Sequence, residues 1–313
     1  MSNKSVASIV SISVAVMLTV VKGIAGFSIG SLALLSSAVD STLDILSSTI
    51  NYFAIKKSEE PPDEKHPFGH GKFESLATFL QSLIILVSGG YILYKSYGKF
   101  ITKGKIDNID SGLYVMIFSI VSTVALTLYL RYVAKKSDSS ILKADAMHYE
   151  IDILTNVGIL ISFFIIKYFG LHVVDPIISA VISLYIIYSA VKLSFEVSKD
   201  LLDVELPEAI KSDIIKILDS FDNLHIDFHR VRTRKSGSQK FLDLHLTLCR
   251  ELSISDAHKI ADTIERKLKN KIDDLDVTIH IDPCDIKSCP GIDACNDSKL
   301  RIELDKLKNE SGG

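Results

Sequence analysis

SSAVDSTLDILSST, residues 36–49, sets Asp40 and Asp44 four residues apart among leucine, valine and isoleucine. In a helix, positions i and i+4 lie on one face. The stretch therefore presents two carboxylates side by side in surroundings suited to hydrocarbon. A carboxylate buried there costs several kcal/mol unless it is paired or coordinates an ion. What offsets that cost has to come from elsewhere in the chain.

Working outward, six apolar segments are long enough to cross a bilayer, which takes about 20 residues each. They run near Val6–Phe27, Ser31–Phe53, Leu76–Tyr94, Leu113–Val133, Met147–Tyr168 and Val173–Leu193. The first is too long to read as a cleavable signal peptide. An even number of spans puts both termini on one side. The second loop carries Lys56, Lys57, Lys65 and Lys72, and the fourth Arg131, Lys135, Lys136 and Lys143. The first loop has no basic residue, so the loop asymmetry predicts cytoplasmic termini. Lys95, Lys99, Lys103 and Lys105 after the third span oppose that orientation, and the majority of loops outweighs them. Residues 1–205 thus read as a six-helix transmembrane domain in a plasma membrane, the inner membrane if the source is bacterial.

From Glu205 the pattern becomes that of a soluble domain. Helix from Pro207 to about Phe221, strands at Ile226–Arg234 and Lys240–Leu248, helix from Ser255 to Lys271 and a strand at Val277–Asp282 make an α-β-β-α-β unit over 206–285. Ser255 is the expected N-cap. Residues 286–313 form a polar tail. The net charge of −3 and the absence of a basic arm argue against a nucleic-acid partner. The four cysteines, Cys249, Cys284, Cys289 and Cys295, are spaced more like those of a reduced protein than a disulfide framework.

The fifth span opens ADAMHYEIDILTN, residues 144–156, with His148 and Asp152 again at i, i+4. Two helices each offering such a pair can surround one ion with three carboxylates and an imidazole, a set that suits a divalent transition metal and tetrahedral zinc first. A buried ion-paired network is the alternative, but intramembrane ionisable residues are functional candidates by default. Glu150 points off that face. In the second loop, PPDEKHPFGHGKFES gathers Asp63, His66 and His70. In the soluble domain, alternation along FLDLHLTL and VTIHIDP sets His245, His280 and Asp282 opposite an apolar face. His229 lies in the strand before and His258 on the second helix. Of nine histidines only His172 and His225 fall outside these groups.

The combination of DSTLD, DEKHPFGHGKFESL and HYEID, continued by HRVRTRKSGSQKFLDLHL and VTIHIDPC, resembles the cation diffusion facilitators over roughly residues 6–285. It is most like their bacterial zinc and ferrous-iron efflux members. The resemblance implies a homodimeric, proton-coupled exporter of divalent metals with six transmembrane helices and a ferredoxin-like, metallochaperone-like cytoplasmic domain. It implies a transport site at Asp40, Asp44, His148 and Asp152 and a loop site at Asp63, His66 and His70. It further implies a binuclear site at His229, His245, His258, His280 and Asp282, and a pair, Lys72 and Asp203, that interlocks the domains. The histidine at 148 implies zinc, with ferrous iron or cadmium next. Metal and protons compete for the same lone pairs, and imidazole titrates nearest neutrality, which makes His148 the expected proton carrier. A membrane metalloenzyme is the first rival, weakened by the lack of an H-E-x-x-H or similar signature. A membrane-anchored metal sensor is the second, weakened because an anchor needs no ionisable ligands inside the bilayer.

Overall fold

The structure, a computed structural model, describes residues 2–29, 32–102, 113–171, 173–221, 227–250 and 252–284. The tail with Cys289 and Cys295, the lysines Lys103 and Lys105, and the two leftover histidines lie outside them. The chain divides into two compact units, Met1–Leu201 and Leu202–Gly313.

Among the described residues the first unit comprises six long helices: α1 (Asn3–Ile29), α2 (Leu32–Ser58), α3 (Lys72–Thr102), α4 (Leu113–Ser137), α5 (Ser140–Phe169) and α6 (Val174–Leu201). At 1.5 Å per residue they span roughly 37–46 Å, more than a bilayer's hydrocarbon core. Among the described residues α1, α3, α4, α5 and α6 are apolar enough to cross a membrane. α2 has the length but carries Asp40, Asp44 and a run of serines and threonines, which lower its hydropathy. Helix pairs α1–α2, α3–α6 and α4–α5 pack most extensively.

α5 begins at Ser140, seven residues before the expected start of the fifth span. Ser139 is its N-cap, with an extended backbone and a side chain that accepts from Leu142 N. The same hydroxyl donates to the buried Glu74 of α3, so one side chain both starts α5 and ties it to its neighbour. The early start places His148 in the third turn rather than the first. Gly170, at φ 69°, closes the helix in the left-handed conformation that glycine adopts without strain.

Among the described residues the second unit comprises α7 (Glu208–Asp219), β1 (Asp227–Ser236), β2 (Gln239–Leu248), α8 (Ile254–Lys271) and β3 (Leu275–Pro283). β1 and β2 form a hairpin through Gly237 at φ 63°. β3 returns parallel to β2 after α8, giving sheet order β1-β2-β3. The N-cap of α8 is Ser253, not Ser255: its hydroxyl accepts from Asp256 N and donates to Asp256 Oδ2. The acid three residues on decides which serine caps, since only Ser253 can make both bonds. Leu242, Leu244, Leu246 and Leu248 share one sheet face, buried against Ile214 and Leu218 of α7 and Ile260, Ile264 and Leu268 of α8. The other face is thereby left to the alternate residues. Leu244→Ala is expected to lower the stability of this unit by about 2–5 kcal/mol, read from the denaturant midpoint of its unfolding.

Candidate metal centres

On α2 and α5, the sequence numbers rise along one helix and fall along the other where they meet. Asp44 faces His148, with Oδ1 2.9 Å from Nε2, and Asn51 faces Asp145, with Nδ2 3.1 Å from Oδ1. This antiparallel register brings Asp44, His148 and Asp152 together, one ligand atom from each lying within 4.8 Å of the others. Asp40, the fourth expected ligand, is exposed and outside that trio. It lies one turn from Asp44, about 6 Å along α2. Near it, Lys22 of α1 donates to Ser41 at 2.9 Å. Glu150, left out of the set by its spacing, pairs with Arg131 of α4.

Asp63, His66 and His70 meet in the loop between α2 and α3. Asp63 Oδ1 accepts the backbone N–H of His66 at 2.6 Å and of Lys65 at 2.9 Å, and lies 3.1 Å from His66 Nδ1. The His66 N–H bond is the main reason its carboxyl is held below the usual range. His70 is 2% exposed, with Nε2 3.4 Å from Asp63 Oδ2, yet among the described residues neither ring nitrogen has a hydrogen-bond partner. A buried imidazole left so is costly, and a coordinated cation would satisfy it. Gly69, at φ 78° against Pro62, makes the turn that folds His70 back toward Asp63.

The sheet aligns His229, His245 and His280 across β1, β2 and β3, because each is the register partner of the next. Asp282 is the hub. Its Oδ2 lies 2.8 Å from His245 Nδ1 and 3.5 Å from His229 Nε2, and its Oδ1 lies 3.2 Å from His280 Nε2. The hydrogen bond from His245, helped by the neighbouring imidazoles, holds its carboxyl low. His258 does not join them within one chain: it is on α8, 71% exposed, with Nε2 3.5 Å from Asp262. Helix spacing pairs it with the residue four positions on instead. Asp203 lies 3.7 Å from Arg234 inside the second unit, while Lys72 opens α3 of the first.

The sequence reading passed over Asp145, Ser11, Ser48, Asn51 and Tyr149, a buried polar knot joining α1, α2 and α5. A signal was present. Ser48 and Asn51 follow Asp44 at i+4 and i+7, and Asp145 precedes His148 by three, so each extends a ligand stripe by a turn or two.

A family model described as the cation efflux transmembrane domain matches residues 8–202. A second, described as the cytoplasmic domain of cation efflux proteins, matches residues 206–284. The chain belongs to the cation efflux family, the cation diffusion facilitators. Protein p34 of Rickettsia prowazekii is 37% identical over 280 residues, 90% of this chain and 92% of that protein. The cation-efflux pump FieF of Yersinia enterocolitica is 35% identical over 267 residues, 85% of this chain and 88% of its own. That of Salmonella choleraesuis is 34% identical over 280 residues, covering 90% and 93%. A cation efflux protein of this build is a multi-pass membrane transporter rather than an enzyme, and its C-terminal unit matches the family's cytoplasmic domain.

The hydrogen bond from His245 stabilises the ionised Asp282, a contribution present above the ordinary carboxylate pKa and lost as pH falls through the lowered one. His245→Ala should therefore move the Asp282 titration upward, toward the ordinary value of about 3.9. Carboxyl carbon shifts followed by NMR against pH measure this; an unmoved titration would mean that the contact does not hold in solution.

Proposed function

We propose that this chain is a proton-coupled antiporter that exports divalent transition-metal ions from the cytoplasm, zinc first and ferrous iron or cadmium next. It works as a homodimer in the bacterial inner membrane with both termini cytoplasmic. The observation that carries the reading is the meeting of Asp44, His148 and Asp152 from two long helices of the membrane unit. Two carboxylates and an imidazole are borderline donors at a spacing one ion can bridge, and they suit zinc above magnesium or calcium. Asp40 completes a tetrahedral set if α2 shifts along or about its axis when the ion loads.

The cycle follows from competition for lone pairs. Asp44 and His148 already share a proton or a hydrogen bond at 2.9 Å. A cation can enter only by replacing that contact, and a proton arriving from outside restores it and expels the ion. Alternation of the bundle between inward-open and outward-open states makes the exchange vectorial. Asp63, His66 and His70 form a second ion site next to the membrane unit. His229, His245, His280 and Asp282 bind metal on the sheet and favour the dimer, with His258 entering as a ligand offered across the dimer interface.

Zinc uptake into proteoliposomes driven by a pH gradient should fall about 10- to 100-fold or more in Asp44→Ala and in His148→Ala. Collapsing the gradient with a proton–potassium exchanger should slow the wild type. Near-normal flux in either variant rejects the site, and flux indifferent to the gradient rejects antiport. Zinc binding without any movement across sealed vesicles would favour a sensor or an enzyme instead.

A further inference from the structure

Asp145 of α5 is 1% exposed and belongs to none of the three ligand groups. Its Oδ2 accepts from Ser11 Oγ of α1 at 2.9 Å and its Oδ1 from Asn51 Nδ2 of α2 at 3.1 Å. Both donors are neutral. Ser11 Oγ lies 2.9 Å from Ser48 Oγ and 3.1 Å from Tyr149 Oη, and Ser48 Oγ lies 3.1 Å from that same Tyr149 oxygen. Three hydroxyls thus form a closed triangle with the carboxyl attached at one corner. Ser11, Ser48 and Asn51 are buried.

We propose that Asp145 is a proton-binding site of the transport cycle, separate from the metal ligands, and that the Ser11–Ser48–Tyr149 triangle lets it gain or lose its proton without stranding a donor. The proposal rests on the antiport reading above and adds a group to it.

Counting hydrogens supports the two states. When Asp145 is ionised, Ser11 donates to it, Ser48 donates to Ser11, and Tyr149 donates to Ser48. When Asp145 carries a proton, it donates to Ser11. The triangle then runs in one sense, Ser11 to Tyr149, Tyr149 to Ser48 and Ser48 back to Ser11. Every hydroxyl hydrogen has an acceptor in both cases, and no oxygen accepts more than its two lone pairs allow. Asn51 donates to Oδ1 throughout. A merely structural clamp between α1, α2 and α5 would need no acid, since a buried carboxylate held by neutral donors costs several kcal/mol that an amide avoids.

Position supplies the coupling. Asp145 precedes His148 by three residues on α5, and Ser48 follows Asp44 by four on α2, so the triangle abuts the metal trio along both helices. Tyr149 stands edge-on to the His148 ring, with centroids 5.7 Å apart. The titratable groups acting on Asp145 are His148 and Tyr149 of its own helix and Asp44 of α2. α1 faces it with Ser11, and among the described residues α3, α4 and α6 offer it no ion pair. A divalent ion beside His148 favours the ionised carboxyl, and its departure favours the protonated one. Loading the ion therefore releases this proton to bulk water, and unloading takes one back.

The test counts protons on the full-length chain in detergent at weak buffering near pH 7, adding zinc and measuring both zinc bound and protons released. Asp145→Asn should release fewer protons than the wild type at equal zinc bound, by up to about one per chain; the loop and sheet groups contribute alike to both and cancel. An unchanged difference, with proton-driven flux intact, overturns this proposal alone. A wild type that releases no protons overturns it together with antiport. Should Asp145→Asn bind less zinc or fail to fold, infrared difference spectra of the wild type and Ser11→Ala decide. A protonated-carboxyl band lost on zinc addition and shifted in frequency by Ser11→Ala is expected. Absence of the band, or a band indifferent to Ser11→Ala, sinks the proposal.

Discussion

The contact between the Asp44 carboxylate and the His148 imidazole constrains the membrane unit more than any other. Neither group can sit among apolar helices without a partner, and each is the other's nearest. Once that pair is made, the antiparallel register of α2 and α5 follows. With the register come Asp152 at the same point, Asn51 against Asp145, and Ser48 beside Tyr149. A shift of either helix by one turn would break all of these together, so the polar stripe acts as a ruler for assembly as well as a place for an ion.

Around that stripe the bundle is held by close fit rather than by exclusion of water. Val87, Leu128 and Tyr188, among many others, are exposed on the membrane unit, as side chains facing lipid tails should be. Helix contacts accordingly use small residues. A Cβ at Gly89 of α3 would come within 2.9 Å of Ile186 Cγ2 on α6, and one at Gly158 of α5 within 2.5 Å of Ile182 Cδ1. Additional polar ties stand at the helix ends, where Glu74 holds Lys4 at 3.1 Å and takes the Ser139 hydroxyl. The same acid thereby links α1 and α3 to the start of α5, the helix that carries His148.

The C-terminal unit reaches a related arrangement by a different route. Its leucines drive one sheet face onto α7 and α8, and strand alternation then leaves His245 on the opposite side. Register, not helix spacing, lines up His229 and His280 with it, and Asp282 draws the three rings toward one carboxylate. In the loop between α2 and α3 the organiser is backbone: two N–H groups fix Asp63, and a glycine turn returns His70 to it.

The division between what could be read and what had to be folded is physical. Helical and strand periodicity are local, so the sequence alone determined the long apolar helices, the α-β-β-α-β order, the two matched pairs on α2 and α5, and the face of β2 that carries His245. Cap choice depends on individual side-chain bonds that periodicity does not register, so Ser253 displaced Ser255 through Asp256, and Ser139, tied to Glu74 of α3, started α5 early. Interhelix and cross-strand register depend on partners tens to hundreds of residues distant. Only the tertiary structure could therefore decide that Asp44 and not Asp40 meets His148, that His258 stands apart from the other histidines within one chain, and that Asp145 closes onto a hydroxyl of α1 and an amide of α2. Periodicity names the face on which a residue lies; only packing sets how far along the neighbouring element its partner falls.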